Sequence, residues 1–201
     1  MPITRVHMDG LCCDKTTEPG ADEIYILVIG QGPNGTRYAA RVPGPAMHWD
    51  MNDGKQGTNN PSGDSHCIAD KDLFTRSMQE GDQWDLLFLI MEEDGGSTKT
   101  AQDIATGILA QTGNPYAIGG AAVLQVLTQL GIYLDNTDDY IGSFGVQLSC
   151  AAGLVTAAWR GVDRYTIAQP NTDPAGHPGF EFRMNGDGSN YVGWYHLRTV
   201  A

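Results

Sequence analysis

The stretch QWDLLFLIMEED at residues 83–94 limits the possible folds more than any other part of the chain. Its middle is apolar without interruption from Leu86 to Met91. Successive side chains of a β-strand point to opposite faces of the sheet, so an unbroken apolar run indicates a strand that is buried on both faces. Packing layers are therefore expected on each side of this strand.

Most of the remaining chain has the pattern of short strands separated by turns. Glycine and proline, with 26 and 10 residues, supply many positions at which the chain can reverse direction. Residues 55–71 are polar and are predicted to form a long loop. Strands are predicted at residues 3–13, 23–30, 36–42, 47–54, 73–82, 83–94 and 140–150, with two more around a Gly-Asp-Gly turn within residues 179–200.

The apolar period changes from that of strands to that of helices after the DGGS segment. A first helix is predicted with Ser97 or Thr98 as its N-cap, and the Gly-Asn-Pro sequence at residues 113–115 ends it. A second, more apolar helix follows at about residues 116–130. One face of the first helix carries Ala101, Ile104, Ala105, Ile108 and Leu109.

The length and composition agree with one globular domain of ordinary size. Hydrophobic residues make up 41% of the 201 residues and charged residues 18%, which is enough apolar material for a sizeable core. We predict a mainly β fold over residues 1–201, an antiparallel β-sandwich with an inserted α-helical hairpin at about residues 97–133.

The acidic balance of the chain restricts its partners. The net charge is −12, from 24 acidic and 12 basic residues, and there is no basic patch for phosphate contacts, so no nucleic-acid binding is expected. No apolar run reaches the roughly 20 residues of a membrane span, and the N-terminal residues lack the pattern of a signal peptide. The sequence therefore predicts a soluble protein that is cytoplasmic or exported without a classical leader.

The four cysteines are Cys12, Cys13, Cys67 and Cys150. Adjacent Cys12 and Cys13 point to opposite faces of a strand and are poor partners for each other. No CxxC spacing occurs, which argues against a zinc knuckle. We expect all four to be buried thiols.

Acidic residues are concentrated in three segments that adjoin predicted strands. Carboxylates from several loops suit Ca²⁺, which takes six to eight oxygen ligands, and loops at one end of a sandwich are neighbours in space. Several carboxylates packed without an ion would raise one another's pKa, a repulsion that a bound cation would offset. The acids are Asp14, Glu18, Asp22 and Glu23 in the first segment, Glu92, Glu93 and Asp94 in the second, and Asp135, Asp138 and Asp139 in the third.

The order of these segments resembles that of a C2 domain, a β-sandwich module that binds Ca²⁺ through loops at one edge. In this family, a first loop carries an Asp, a Gly and then SDPY, and a later strand ends in an Asp-x-Asp pair before a DDxIG motif. The chain has LCCDKTTEPGADEIYILV, LLFLIMEED and DDYIGSFGVQL at the matching places. The resemblance implies a non-enzymatic, C2-like module whose Ca²⁺ ligands would be Asp14, Asp22, Glu92, Asp94 and Asp139, with Asp138 as the close competitor.

Three features depart from the C2 pattern. Glu92 stands where an Asp is usual, and the first loop has one additional residue, so that Asp22 and Glu23 remain alternatives. The helical hairpin expands the third loop to about forty residues. The resemblance covers residues 6–29, 84–94 and 135–148.

Other acidic positions allow further interpretations. His48, Asp50 and Asp53 could bind a metal, although a turn beside a buried Trp49 also explains them. Asp187 could add a ligand or simply form a hairpin turn. A carboxylate-dependent hydrolase is an alternative in which Glu92 or Glu93 works with an Asp of the third segment. None of the common nucleophile or phosphate-binding motifs occurs.

The helical hairpin has one structural and two functional interpretations. Its apolar face could cover the open end of the sandwich or an edge strand, or it could form a homo-oligomer contact or touch a membrane. The C2 resemblance implies, in addition, that a bound Ca²⁺ could bridge to a lipid headgroup, a glycan or a protein.

Overall fold

The computed structural model describes residues 1–16, 21–45, 47–52, 66–93, 100–130, 138–164, 166–186 and 188–200, with the backbone alone for Asp138. In this part of the chain the fold is mainly β, with two helices and a short 3₁₀ turn at Pro33–Gly35. The strands are β1 (Ile3–Lys15), β2 (Asp22–Gln31), β3 (Arg37–Val42), β4 (Trp49–Met51), β5 (Cys67–Ser77), β6 (Gln83–Glu93), β7 (Asp138–Ala151), β8 (Leu154–Gly161), β9 (Thr166–Thr172), β10 (Pro178–Met184) and β11 (Asn190–Val200). The helices are α1 (Ala101–Thr112) and α2 (Gly120–Gln129).

Two antiparallel sheets pack as a sandwich, as the sequence predicts. Sheet A has the strand order β5-β1-β11-β10-β9. Sheet B has the order β3-β2-β6-β7-β8, and the short β4 also pairs with β2. An aromatic group lies between the sheets, where the ring of Phe144 is centred 4.6 Å from that of Phe88, 4.3 Å from Phe182 and 4.5 Å from Tyr195.

Strand β6 is buried on both faces, which confirms the prediction for its apolar run. Leu86, Phe88 and Ile90 belong to the core between the sheets. Leu87, Leu89 and Met91 point the other way, into a second core formed by sheet B and the helices. The helices contribute Ile104, Ala105, Ile108, Leu109, Val123, Val126 and Leu127 to that core.

The helical hairpin therefore covers the outer face of sheet B rather than a sandwich end, and α1 lies against β2 and the edge strand β3. Helix α1 begins one residue after Thr100, whose hydroxyl accepts a hydrogen bond from the Asp103 N–H while the Asp103 carboxylate accepts one from the Thr100 N–H. This capping box replaces the predicted N-caps Ser97 and Thr98, which lie outside the described residues. Gly113 ends the helix with a left-handed φ of 67°. None of the described helices has the length and apolar character needed to cross a membrane.

The expectation that all four cysteines are thiols is wrong for two of them. Cys12 and Cys67 are directly opposite in the β1–β5 register and form a disulfide. Strand β5 begins at Cys67, inside the segment that the sequence predicts as a loop. Cys13, on the other face of β1, and Cys150 are buried thiols as expected.

At one end of sheet B, Glu80 stabilises the tight turn between β7 and β8. Ala152 and Gly153 have positive φ values of 51° and 72°, the conformation of a two-residue hairpin turn, which is unfavourable for alanine. The backbone N–H groups of Ala152 and Gly153 donate to the Glu80 carboxylate at 2.9 and 3.1 Å. These two hydrogen bonds lower the pKa of Glu80 below its ordinary value of 4.5.

We predict that Glu80→Gln lowers the melting temperature at about pH 7, because the ionised carboxylate is the stronger acceptor. A folded-state pKa below the unfolded value means that the contribution is complete above pH 4.5 and disappears as the pH falls through the folded value. The difference in melting temperature between wild type and variant should therefore shrink as the pH falls below 4.5. A difference that does not change with pH would contradict this role.

Candidate functional site

Strand pairing brings three of the predicted ligands to one end of sheet B. Strand β2 begins, β6 ends and β7 begins at this end. Glu92 lies directly opposite Ile24 on one side and Asp139 on the other. Asp22 precedes Ile24 by two residues and therefore shares its face. We call Asp22, Glu92 and Asp139 the inner acids.

The inner acids face the interior of the sandwich. Each lies two residues from an isoleucine of the core between the sheets, namely Ile24, Ile90 and Ile141. The exposed fraction is 0% for Asp22 and 1% for Glu92, and Asp139 is half-buried. Because side chains directly opposite on antiparallel strands have Cβ atoms about 5 Å apart, the carboxyl groups of Glu92 and Asp139 lie close together in a poorly solvated place.

A tyrosine of sheet A reaches across the sandwich to the inner acids. The Tyr191 hydroxyl donates a hydrogen bond of 2.6 Å to Asp22 Oδ2. Burial, the charge of Asp22 and the neighbouring Cys13 raise the pKa of Tyr191 far above its ordinary range, so the hydroxyl keeps the proton that it donates to Asp22. This contact could not be predicted from the sequence, because 169 residues separate the partners and Tyr191 follows the apolar alternation of its strand.

Asp22 and its neighbour Glu23 point to opposite faces of sheet B. Glu23 faces outward and belongs to an outer cluster with His48, Asp50 and Glu93. The His48 Nε2 atom lies 3.4 Å from Asp50 Oδ1, and Nδ1 lies 3.3 Å from Glu93 Oε2 and 3.9 Å from Glu23 Oε2.

Basic groups compensate much of the charge in the outer cluster. Arg41 contacts Glu93 and stacks on the Tyr25 ring at 3.7 Å. Burial tends to raise the pKa of Glu93, but hydrogen bonds from Arg41 and His48 outweigh it and lower the pKa. His48, Asp50 and Asp53 are the possible metal ligands that the sequence suggested here. Asp53 lies outside the described residues.

Of the remaining predicted ligands, one lies on β1 and the side chains of the others are outside the described part of the chain. Asp14 is exposed on β1 in sheet A, at an irregularity of the β1–β11 pairing. The backbone of Asp138 pairs with Glu93, but its side chain is outside the described part. Asp94 and Asp187 also lie outside it.

Two groups of described residues place three potential ligand atoms within 4.8 Å of one another, and neither contains an inner acid. One is Glu23, His48 and Asp50, and the other is Asp9, Asp173 and His196. The calcium site formed by the inner acids with Asp14, Asp94 and Asp138 therefore stays a prediction. The hydrolase alternative, with Glu92 or Glu93 as one of its acids, likewise stays a prediction, and of these two residues Glu92 is buried.

Comparisons with protein-family models, curated proteins and solved structures find no match to this chain. The resemblance to C2 domains therefore depends on the sequence motifs and on the two-sheet architecture.

The two buried tyrosines of β11 offer a matched pair of variants. We predict that Tyr191→Phe lowers the free energy of unfolding by about 2 kcal/mol, because it removes a hydrogen bond to a buried carboxylate. The Tyr195 hydroxyl is buried and has no hydrogen-bond partner among the described residues, so Tyr195→Phe should be neutral or stabilising. Urea unfolding measures both, and equal losses would contradict the role of the Tyr191 contact.

Proposed function

We propose that the protein is a calcium-binding, C2-like module in which the ion lies beside the inner acids. One observation carries the proposal, the register that sets Glu92 directly opposite Asp139 on the inner face, next to Asp22. These carboxylates come from three segments that are distant in the chain. An oxygen-only ligand set of this kind suits Ca²⁺ better than a softer metal.

Electrostatics supports a cation at this end of the sandwich. Carboxylates taken out of water need compensating positive charge or strong hydrogen bonds. Tyr191 provides one hydrogen bond to Asp22 but no charge. A divalent ion bound between Glu92 and Asp139 would attract both carboxylates.

The chain connections at this end can complete the coordination sphere. Asp14 is close to the end of β1, Asp94 follows β6 directly, and Asp138 begins β7. The bound ion would order these segments and could then bridge to a lipid headgroup, a glycan or a protein, as the C2 resemblance implies. The competing function, assembly through the helical hairpin, has less support because the apolar side chains of both helices pack against sheet B.

Calcium titration of chelator-treated protein tests the proposal. A ligand that binds only the folded state at a concentration of 100 times its Kd stabilises that state by about 2.7 kcal/mol, so added Ca²⁺ should raise the melting temperature. Asp139→Asn should weaken the binding measured by calorimetry by about tenfold or more, because it removes a charged ligand. Asp50→Asn, the same chemical change in the exposed part of the outer cluster, is the control and should bind like wild type.

Three results would contradict the proposal. The first is a melting temperature that Ca²⁺ leaves unchanged. The second is equal calcium affinity of Asp139→Asn and wild type. The third is loss of binding in Asp50→Asn alone, which would move the site to the outer cluster.

A further inference from the structure

The outer face of sheet A carries a group of polar side chains that neither the sequence motifs nor the proposed calcium site uses. We call Asp9, Asp173 and His196 the His–Asp cluster. Each offers one potential ligand atom, and these atoms all lie within 4.8 Å of one another. The cluster joins three distant parts of the chain, β1, the β9–β10 turn and β11.

An irregularity in the β1–β11 pairing positions Asp9. The β1–β11 register shifts between Met8 and Gly10, so Asp9 occupies a bulge and its carboxylate contacts the His196 ring. The Asp173 carboxylate is fixed from the opposite side, since the His177 N–H donates to Oδ1 at 2.8 Å and the His177 ring lies 2.7 Å from Oδ2.

The burial of the His196 imidazole indicates that this cluster could bind a metal ion. His196 is 2% exposed, and both of its ring nitrogens are buried. Neither nitrogen makes a hydrogen bond within the described residues, although Nδ1 is in ion-pair contact with the Asp9 carboxylate. A buried polar atom without a partner costs about 1–3 kcal/mol, and coordination of a metal ion by one nitrogen would remove that cost for it.

A second histidine lies beside this group in an orientation common around metal sites. His7 is directly opposite His196 in the β1–β11 register and is 4% exposed. Its Nδ1 lies 2.7 Å from Asp72 Oδ1, and its Nε2 lies 3.0 Å from Asp70 Oδ1 and 3.5 Å from Asp9 Oδ1. A carboxylate that orients an imidazole in this way is typical of the surroundings of metal-binding histidines.

We propose that the His–Asp cluster binds a Zn²⁺ ion. The ligands are Asp9, Asp173 and His196, and His7 is placed to support Asp9. One imidazole nitrogen with two carboxylate oxygens is a ligand set suited to Zn²⁺, whereas Ca²⁺ prefers oxygen ligands alone. The site is on the outer face of sheet A and does not depend on the proposed calcium site in sheet B.

Arg198 provides an alternative explanation for the His–Asp cluster, in which no metal ion is bound. Its guanidinium contacts Asp9, and Nη2 lies 3.5 Å from Asp173 Oδ2. The arginine could thus hold both carboxylates as a structural ion-pair network. In the zinc-site account, its positive charge instead opposes the incoming ion.

Zinc binding to chelator-treated full-length protein, measured by isothermal titration calorimetry, tests the proposal. We expect one Zn²⁺ per chain and an affinity at least about tenfold weaker for His196→Gln and for Asp9→Asn. His66→Ala, in an exposed position, and Glu92→Gln, at the inner acids, should bind zinc like wild type. Circular dichroism of each variant verifies that it is folded.

Arg198→Met separates the two explanations even if a ligand variant does not fold. The zinc site predicts an affinity about tenfold tighter than in wild type, because a competing positive charge is removed. An ion-pair network predicts lower thermal stability without zinc binding. The proposal is overturned if wild type and Arg198→Met both fail to bind zinc, or if folded His196→Gln binds like wild type.

Discussion

Burial of β6 on both faces is the constraint on which the rest of the structure depends. Its alternate side chains fill the core between the sheets and the second core beneath the helices. Sheet B must therefore lie in the middle of three layers. The alternation continues past the apolar run, so Glu92 points inward and Glu93 points outward. Two adjacent acids in the sequence thus belong to different electrostatic environments.

These environments compensate negative charge by different means. Glu93 has Arg41 and His48 beside it, and its pKa is lowered in consequence. Glu92 instead faces the interior, opposite Asp139 and near Asp22, whose hydrogen bond comes from a neutral tyrosine. The proposed calcium ion would add positive charge at the inner acids. A metal ion is likewise proposed at His196. There the buried groups include imidazole nitrogen, which favours a softer ion such as Zn²⁺ over Ca²⁺.

Local patterns in the sequence predicted much of the fold, but not the contacts between distant segments. The two-faced burial of β6, the helical pair and the sandwich follow from apolar periodicity, and the acidic segments do adjoin strand ends. The strands at Leu154–Gly161 and Thr166–Thr172 were missed because both are partly exposed edge strands, which few apolar residues mark in the sequence. The Cys12–Cys67 disulfide, the Tyr191–Asp22 hydrogen bond and the His–Asp cluster depend on register and strand order. In the sequence, polar residues such as Asp9 and His196 match the pattern of a solvated strand face. In the structure, the bulge of β1 brings them together.

A crystal structure of the protein grown with Ca²⁺ would show whether the inner acids hold the ion. The account predicts an ion at the inner face of sheet B, with carboxylate oxygens of Glu92 and Asp139 about 2.3–2.6 Å away. Calcium found only at the outer cluster, or a structure in which Glu92 and Asp139 remain metal-free at saturating Ca²⁺, would contradict it.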